Sequence, residues 1–152
     1  MAKQIEIEEK ELWNLDSTLA DIIHQYLVAF KKSERLGVLY SHMFEEPDFS
    51  YEKYEYMVTN DTDWFLDELI WTFEVLSNGG VDNIPEVDVL IQEVFGAPDA
   101  MTFEKSETGL ASMTFNLDEE KHAELRALEK HYQERINRGL AMFAKYFQSL
   151  WD

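Results

Sequence analysis

Apolar residues recur every three or four positions in three stretches of the chain, which is the spacing of one helix face. The first stretch follows Asp16, a short polar residue of the kind that caps free backbone N–H groups, and ends before Gly37. It predicts an amphipathic helix over residues 16–35. Its apolar face contains Leu19, Ile22, Ile23, Tyr26, Leu27 and Phe30.

The second stretch predicts a heavily buried helix over residues 61–77. Asn60 or Asp61 would cap its first turn, and the Asn78-Gly79-Gly80 run would stop it. Apolar residues extend beyond one face, as they do in a helix at the centre of a protein. They are Phe65, Leu66, Leu69, Ile70, Phe73 and Leu76 on the main face, with Trp64, Trp71 and Val75 beside it.

The third stretch is the longest. Asn116 with Glu119 resembles a capping box at its start. A helix of about 30 residues would be about 45 Å long at 1.5 Å per residue, long enough to form the spine of a bundle. Its near-heptad apolar positions are Leu125, Leu128, Tyr132, Ile136, Leu140, Phe143, Phe147 and Leu150.

Smaller elements are predicted between the second and third stretches. Residues 85–95 predict a short helix, and residues 101–104 predict a hairpin with residues 110–115 across Thr108-Gly109.

The elements together indicate a mostly α fold. We expect a helical bundle with a long C-terminal helix and a small irregular or hairpin insertion around residues 81–116, in a single domain of residues 1–152. A further short helix is predicted at residues 51–58, after a loop marked by Pro47.

The composition is that of a chain that folds. Hydrophobic residues make up 45% and aromatic residues 14% of the 152 positions, enough for one apolar core. The absence of cysteine excludes disulfides and thiolate metal sites. No apolar run is long enough for a membrane span, and residues 1–13 are too charged for a signal peptide, so we expect a cytoplasmic location and no membrane partner.

Acidic residues outnumber basic residues 31 to 13, which gives a formal net charge of −18. Direct binding of nucleic acid is disfavoured, because such proteins neutralise phosphates with Lys and Arg. The imbalance is sharpest in residues 61–116, which hold twelve acidic residues and one basic residue, Lys105. We therefore expect a protein partner whose basic surface normally holds nucleic acid.

The carboxylates of residues 81–107 are open to two interpretations. Dispersed charge is by default a solvated surface. A surface with so few interleaved bases is unusual, however, and carboxylates held apart on a rigid fold present a potential like that of a phosphate backbone. Under this second interpretation, DNA mimicry, the partner-binding residues are Asp82, Glu86, Asp88, Glu93, Asp99, Glu104 and Glu107.

Patterns typical of catalysis or metal binding have simpler explanations. Residues 14–18 resemble the Asp-x-Asp-x-Thr loop of haloacid-dehalogenase-type phosphatases, but Asn14 replaces the nucleophilic carboxylate. Asp21 with His24, and Glu119 with His122, have the spacing of di-iron ligands in helical bundles. A helical wheel directs these ligands away from the apolar stripes, so we expect them to face solvent.

Acidic residues of the second predicted helix resemble those of magnesium-dependent nucleotide pyrophosphohydrolases, but no second acidic helix can be placed against them. These residues are Asp63, Asp67, Glu68 and Glu74. His42 and His131 have no spaced partners that would complete a catalytic triad. We expect no catalytic residue, no metal and no cofactor.

Two parts of the chain resemble a loose family of uncharacterised bacteriophage-encoded proteins. The first is residues 12–20 (LWNLDSTLA), followed by a helix that ends in Phe30-Lys31-Lys32. The second is residues 70–74 (IWTFE) together with residues 139–152 (GLAMFAKYFQSLWD). Residues 81–116 do not match, and the family has no activity to transfer. The resemblance implies a phage origin, and therefore action against host nucleic-acid machinery.

The predicted function is stoichiometric inhibition of a host nuclease or CRISPR-type effector, whose nucleic-acid site the acidic segment would occupy. The protein would act alone or as a homodimer. One alternative is a small-molecule binder, such as a sponge for signalling nucleotides, with Lys31, Lys32 and Arg35 beside Tyr40 as phosphate contacts. Another is a non-catalytic phage interaction protein.

Overall fold

The structure, a computed structural model, describes residues 3–33 and 62–150. In these residues it contains four α-helices and one two-stranded hairpin, which confirms the mostly α fold with a long C-terminal helix and a hairpin insertion. The helices are α1 (Leu15–Lys32), α2 (Thr62–Ser77), α3 (Pro85–Phe95) and α4 (Glu119–Tyr146), and the strands are β1 (Met101–Lys105) and β2 (Ala111–Phe115). None of the described helices is long and apolar enough to cross a membrane.

Some predictions lie outside the described residues. They are the helix at residues 51–58, the loop at Pro47, and the capping of the second helix by Asn60 or Asp61.

The predicted start of the first helix is wrong by one residue. The helix begins at Leu15 with Asn14 at the N-cap, so Asp16 lies inside the first turn. There its charge complements the positive end of the helix dipole.

The predicted capping box of α4 is also wrong. Asp118 caps the helix, because its Oδ1 accepts hydrogen bonds from the backbone N–H groups of Glu120 (3.0 Å) and Lys121 (3.2 Å). Asn116 instead donates its backbone N–H to the carbonyl oxygen of Ala100 (2.8 Å) and closes the base of the hairpin.

The chain divides into two compact units. The first unit comprises residues 1–79 and 135–152, and the second comprises residues 80–134, so α4 contributes its N-terminal part to the second unit and its C-terminal part to the first. The assignment of residues 1–152 to one domain stays a prediction.

The core of the first unit forms between α1, α2 and the C-terminal part of α4. Its buried hydrophobic residues are Ala20, Leu27, Phe65, Leu66, Leu69, Phe73, Met142 and Tyr146. Aromatic rings pack edge to face within this core, Phe65 on Tyr146 at 5.5 Å and Phe73 on Phe143 at 4.7 Å between centroids.

The apolar face predicted for α1 is only partly buried. Leu27 lies in the core and Ile23 packs against it, whereas Leu19 is 49% exposed and Tyr26 is 61% exposed. The buried stripe passes through Ala20 and Leu27, with Ile23 and Phe30 packed beside it, in a core shared with α2.

The second unit has its own small core. Val87, Leu90 and Val94 of α3 cluster with Leu125 of α4. The hairpin follows α3, and its tight turn contains Gly109 at a φ of +81°, a conformation that favours glycine. All ten residues of the two strands are exposed.

Candidate functional site

The seven carboxylates predicted to bind a partner all lie in the second unit, and all are exposed. Asp82 lies in the 3-10 turn Val81–Asn83 before α3, and three others lie on α3 itself. Asp99 precedes the hairpin, Glu104 lies in β1, and Glu107 lies in the turn between the strands.

The structure concentrates the charge of the protein in this unit. Residues 80–134 hold 13 acidic and 4 basic residues, a formal net charge of −9. Half of the total of −18 is therefore carried by 55 of the 152 residues. The other −9 is spread over the remaining 97 residues, so the acidity is denser in the second unit without being confined to it.

Helix α3 separates its carboxylates into two groups. Glu86 and Glu93 are seven residues apart, so they lie on the same flank of the buried stripe that contains Val87 and Val94. At about 100° per residue, Asp88 lies on the opposite flank. The exposed Val89 lies between the two flanks. The acidic residues of α3 therefore border its solvent face on both sides and do not form one row.

Ion pairing leaves most of these carboxylates unneutralised. Within the described residues, Glu93 alone of the seven forms an ion pair, with Lys121 Nζ 3.7 Å from Glu93 Oε2. Both side chains are about half exposed, and such pairs contribute about 1 kcal/mol or less. Arg126 lines a shallow groove beside Asp82 without forming an ion pair with it.

The hairpin carries an exposed apolar face in addition to the predicted carboxylates. Met101 pairs with Phe115, and Phe103 pairs with Met113, so these four side chains project from one face of the sheet. Phe103 is 72% exposed. At the base, Phe115 packs edge to face on Phe95 of α3, with centroids 6.4 Å apart. The alternation of apolar and polar residues in both strands is a signal that could have revealed this face.

Only two of the cations predicted for a nucleotide-binding alternative, Lys31 and Lys32, lie in the described part of the chain. Lys31 forms an ion pair with Asp67, with Nζ and Oδ1 2.5 Å apart, and Lys32 is exposed. Arg35 and Tyr40 lie outside the described residues.

A groove in the first unit is apolar. It has a volume of about 310 Å³, and no cationic side chain lines it among the described residues. Its lining residues are Ile22, Ile23, Tyr26, Leu27, Phe30, Phe143, Phe147 and Leu150. A phosphate group requires charged or N–H donors, so this groove suits apolar groups instead.

Two carboxylates of α2, Asp67 and Glu68, form ion pairs in the first unit. Arg135 binds Glu68 through two hydrogen bonds, Nε to Oε2 (3.2 Å) and Nη2 to Oε1 (2.6 Å), and its guanidinium stacks 3.7 Å from the ring centroid of Trp71. Arg135 is therefore engaged within the first unit. Asp67 is paired with Lys31 and Glu68 with Arg135. These ion pairs account for the two carboxylates without a magnesium site.

The other patterns considered for metal binding do not converge. Among the residues that the structure describes, no group of three or more His, Asp or Glu side chains could hold a metal ion. Asp21 accepts a hydrogen bond from Gln25 Nε2 (2.9 Å) on its own helix, and the ring of His122 packs on Phe95. His42 lies outside the described residues.

No protein-family model, no curated protein and no solved structure matches the chain.

Proposed function

We propose that the protein is a phage-type anti-defence protein that binds a host nuclease or CRISPR-type effector and blocks its nucleic-acid site. The acidic surface of the second unit is the contact surface. The observation that supports this proposal most directly is the exposure of seven carboxylates in residues 82–107, six of which form no ion pair within the described residues. The phage assignment rests on the resemblance of residues 12–20 and 139–152 to phage-encoded proteins.

The physical basis is competition for a cationic site. A groove lined by Lys and Arg attracts carboxylates by the same long-range field that attracts phosphates, and such complementarity speeds association at low salt. Glu86 and Glu93 are about 10 Å apart along the helix axis, at 1.5 Å per residue. This distance exceeds the Debye length of about 8 Å at physiological ionic strength, so the two charges repel each other weakly before binding.

The arrangement of carboxylates on α3 supports one shape of partner site over another. A flat basic surface would reach one flank of the helix, either that of Glu86 and Glu93 or that of Asp88. A groove that encloses the solvent face of α3 reaches both flanks. The proposal therefore favours an effector with a nucleic-acid channel over one with a shallow basic patch.

The test compares two variants with equal loss of charge. In the second-unit variant, Glu86→Gln, Asp88→Asn and Glu93→Gln remove three carboxylates from α3. In the matched control, three exposed carboxylates of the first unit are neutralised, by Glu9→Gln, Asp16→Asn and Asp21→Asn.

Tagged protein is used to capture partners from a bacterial lysate at rising salt, and the captured nuclease is assayed with equimolar protein. We expect the wild type and the control to capture and inhibit a nucleic-acid enzyme, and the second-unit variant to do neither. The complex should weaken steeply with salt, because ions screen exposed charges. Salt-insensitive capture, or equal loss in both variants, would overturn the proposal.

A further inference from the structure

The hairpin of the second unit is a two-stranded sheet with two open edges among the described residues. Hydrogen bonds from Asn116 N–H to Ala100 O and from Ser106 N–H to Leu110 O define the ladder at both ends. Hydrogen-bonded and non-hydrogen-bonded pairs alternate along antiparallel strands. The pairs between these two ends that are not hydrogen-bonded to each other therefore point their backbone N–H and C=O groups outward, toward the open edges. They are Met101 with Phe115, Phe103 with Met113, and Lys105 with Ala111.

These outward-pointing backbone groups coincide with the apolar face. Met101, Phe103, Met113 and Phe115 lie in non-hydrogen-bonded pairs, in which side chains approach closely. All four are at least 44% exposed. An isolated two-stranded hairpin is marginally stable in water, and an edge with unpaired N–H and C=O groups is a template for another strand. Among the described residues the sheet thus has no third strand, and its apolar side chains are largely uncovered, although Phe115 packs on Phe95 of α3.

The two edges differ in charge. On the polar face, β1 carries Thr102 and Glu104, whereas β2 carries Ser112 and Thr114. Neighbouring strands place side chains of the same face about 5 Å apart, and opposite charges at that distance attract. A strand beside β1 would therefore gain from a cation next to Glu104. A second copy of this protein is disfavoured as the occupant, because it would bring together two units of net charge −9.

We propose that the outer edge of β1 binds an extended segment of the partner as a third strand, in which apolar side chains alternate with Lys or Arg. The apolar side chains cover Met101 and Phe103, and the cations reach Glu104. Backbone hydrogen bonds to Met101, Phe103 and Lys105 supply affinity that does not depend on sequence. This inference rests on the proposed function for a basic partner and adds the way in which that partner is held.

A short peptide of alternating valine and lysine, fluorescently labelled, is the probe. Fluorescence polarisation measures its binding to the full chain, beside a valine–glutamate peptide and a valine–lysine peptide with methylated backbone nitrogens. We expect the unmethylated valine–lysine peptide to bind and the other two not to bind. Equal binding of the methylated peptide would exclude strand addition, because it lacks the donors that pair with an edge.

Two proline variants distinguish the edges. Phe103→Pro removes an outward N–H group from β1 and leaves the ladder between the strands intact, since proline is tolerated where the N–H faces solvent. Met113→Pro makes the matching change at the opposite residue of β2. We expect Phe103→Pro to weaken peptide binding about tenfold, equivalent to about 1.4 kcal/mol, and Met113→Pro to change it by less than about twofold. Equal losses would overturn the assignment to β1.

A charge reversal keeps the inference testable if proline disrupts the hairpin. Glu104 is exposed, so Glu104→Lys should fold. We expect the variant to bind the valine–glutamate peptide more tightly than the valine–lysine peptide, which is the reverse of the wild-type preference. An unchanged preference would refute the role of Glu104.

The same variants separate this inference from the proposed function. If nuclease inhibition survives Phe103→Pro and Glu104→Lys but is lost in the α3 variant, strand addition is wrong and the electrostatic proposal stands. If the peptide binds the edge of β1 but no nuclease is captured, the proposed function is wrong and the strand-binding edge stands.

Discussion

Gly139 of α4 faces Thr72 of α2, and we expect Gly139→Ala to destabilise the first unit. In an isolated helix this change is favourable by about 1 kcal/mol. Here an added Cβ would lie 2.8 Å from Thr72 Cβ and 2.9 Å from its Cγ2, and closer still to its Oγ1. Thr72 is fully buried and donates a hydrogen bond from Oγ1 to the carbonyl oxygen of Glu68 (2.7 Å), so its side chain cannot rotate away without cost.

The size of the effect follows from these distances. Carbon atoms in ordinary contact are about 3.5–4.0 Å apart, so the carbon contacts alone require α2 and α4 to separate locally by about 0.7 Å, and the closer approach to Thr72 Oγ1 requires more. Thr72 Cβ moves only with the backbone, which places the cost near the upper end of the usual range for overpacking, about 3 kcal/mol. After the gain in helix propensity, we expect a net loss of about 2 kcal/mol in the free energy of unfolding.

Urea denaturation of the full chain, followed by tryptophan fluorescence, measures this loss. The control is Ala141→Gly, at an exposed position of α4, which should cost about 1 kcal/mol through propensity alone. Thr72→Ala removes two of the three clashing atoms, so the double variant with Gly139→Ala should be about 1 kcal/mol more stable than additivity predicts. A higher urea midpoint for Gly139→Ala, or additive losses, would refute the close approach of the two helices.

Three further changes test other features by the same denaturation assay. Asp118→Ala should cost about 1 kcal/mol because it removes the cap of α4, and Asp118→Asn should retain most of that stability. Arg135→Lys should lower the free energy of unfolding by about 2 kcal/mol, since lysine cannot reproduce the two hydrogen bonds to Glu68 or the stacking on Trp71. If the same change costs less in a Trp71→Leu background, the difference measures the contribution of stacking. Phe103→Ser should change stability by less than about 0.5 kcal/mol, because Phe103 is 72% exposed, and a larger loss would place the apolar face of the hairpin in the folded core.

Elements set by local pattern could be predicted from the sequence. Helix periodicity is contained within a few turns of chain. For this reason the sequence predicts both the long helix α4 and the short helix α3 (Pro85–Phe95). The hairpin was predicted to within one residue at an end of each strand, since its turn glycine and alternating residues are neighbours in sequence. Helix starts were less accurate, because several nearby polar residues can serve as a cap and packing selects among them.

The face that each helix buries depends on distant residues. Leu19, Ile22 and Tyr26 look equivalent to Leu27 on a helical wheel, yet of these four only Leu27 is buried in the core. In the same way, Gly139 is unremarkable in sequence, and its role follows from Thr72, which lies 67 positions earlier in the chain. Such contacts are long-range, so periodicity carries no information about them.

For the candidate site, the sequence alone determined how much charge residues 80–134 carry, because charge follows from composition. The tertiary structure decided how that charge is presented. It separates Asp88 from Glu86 and Glu93 across α3 and pairs Glu93 with Lys121. It also places Glu104 on the face opposite the exposed apolar side chains of the hairpin, because strand pairing sets which residues share a face and which backbone groups point outward.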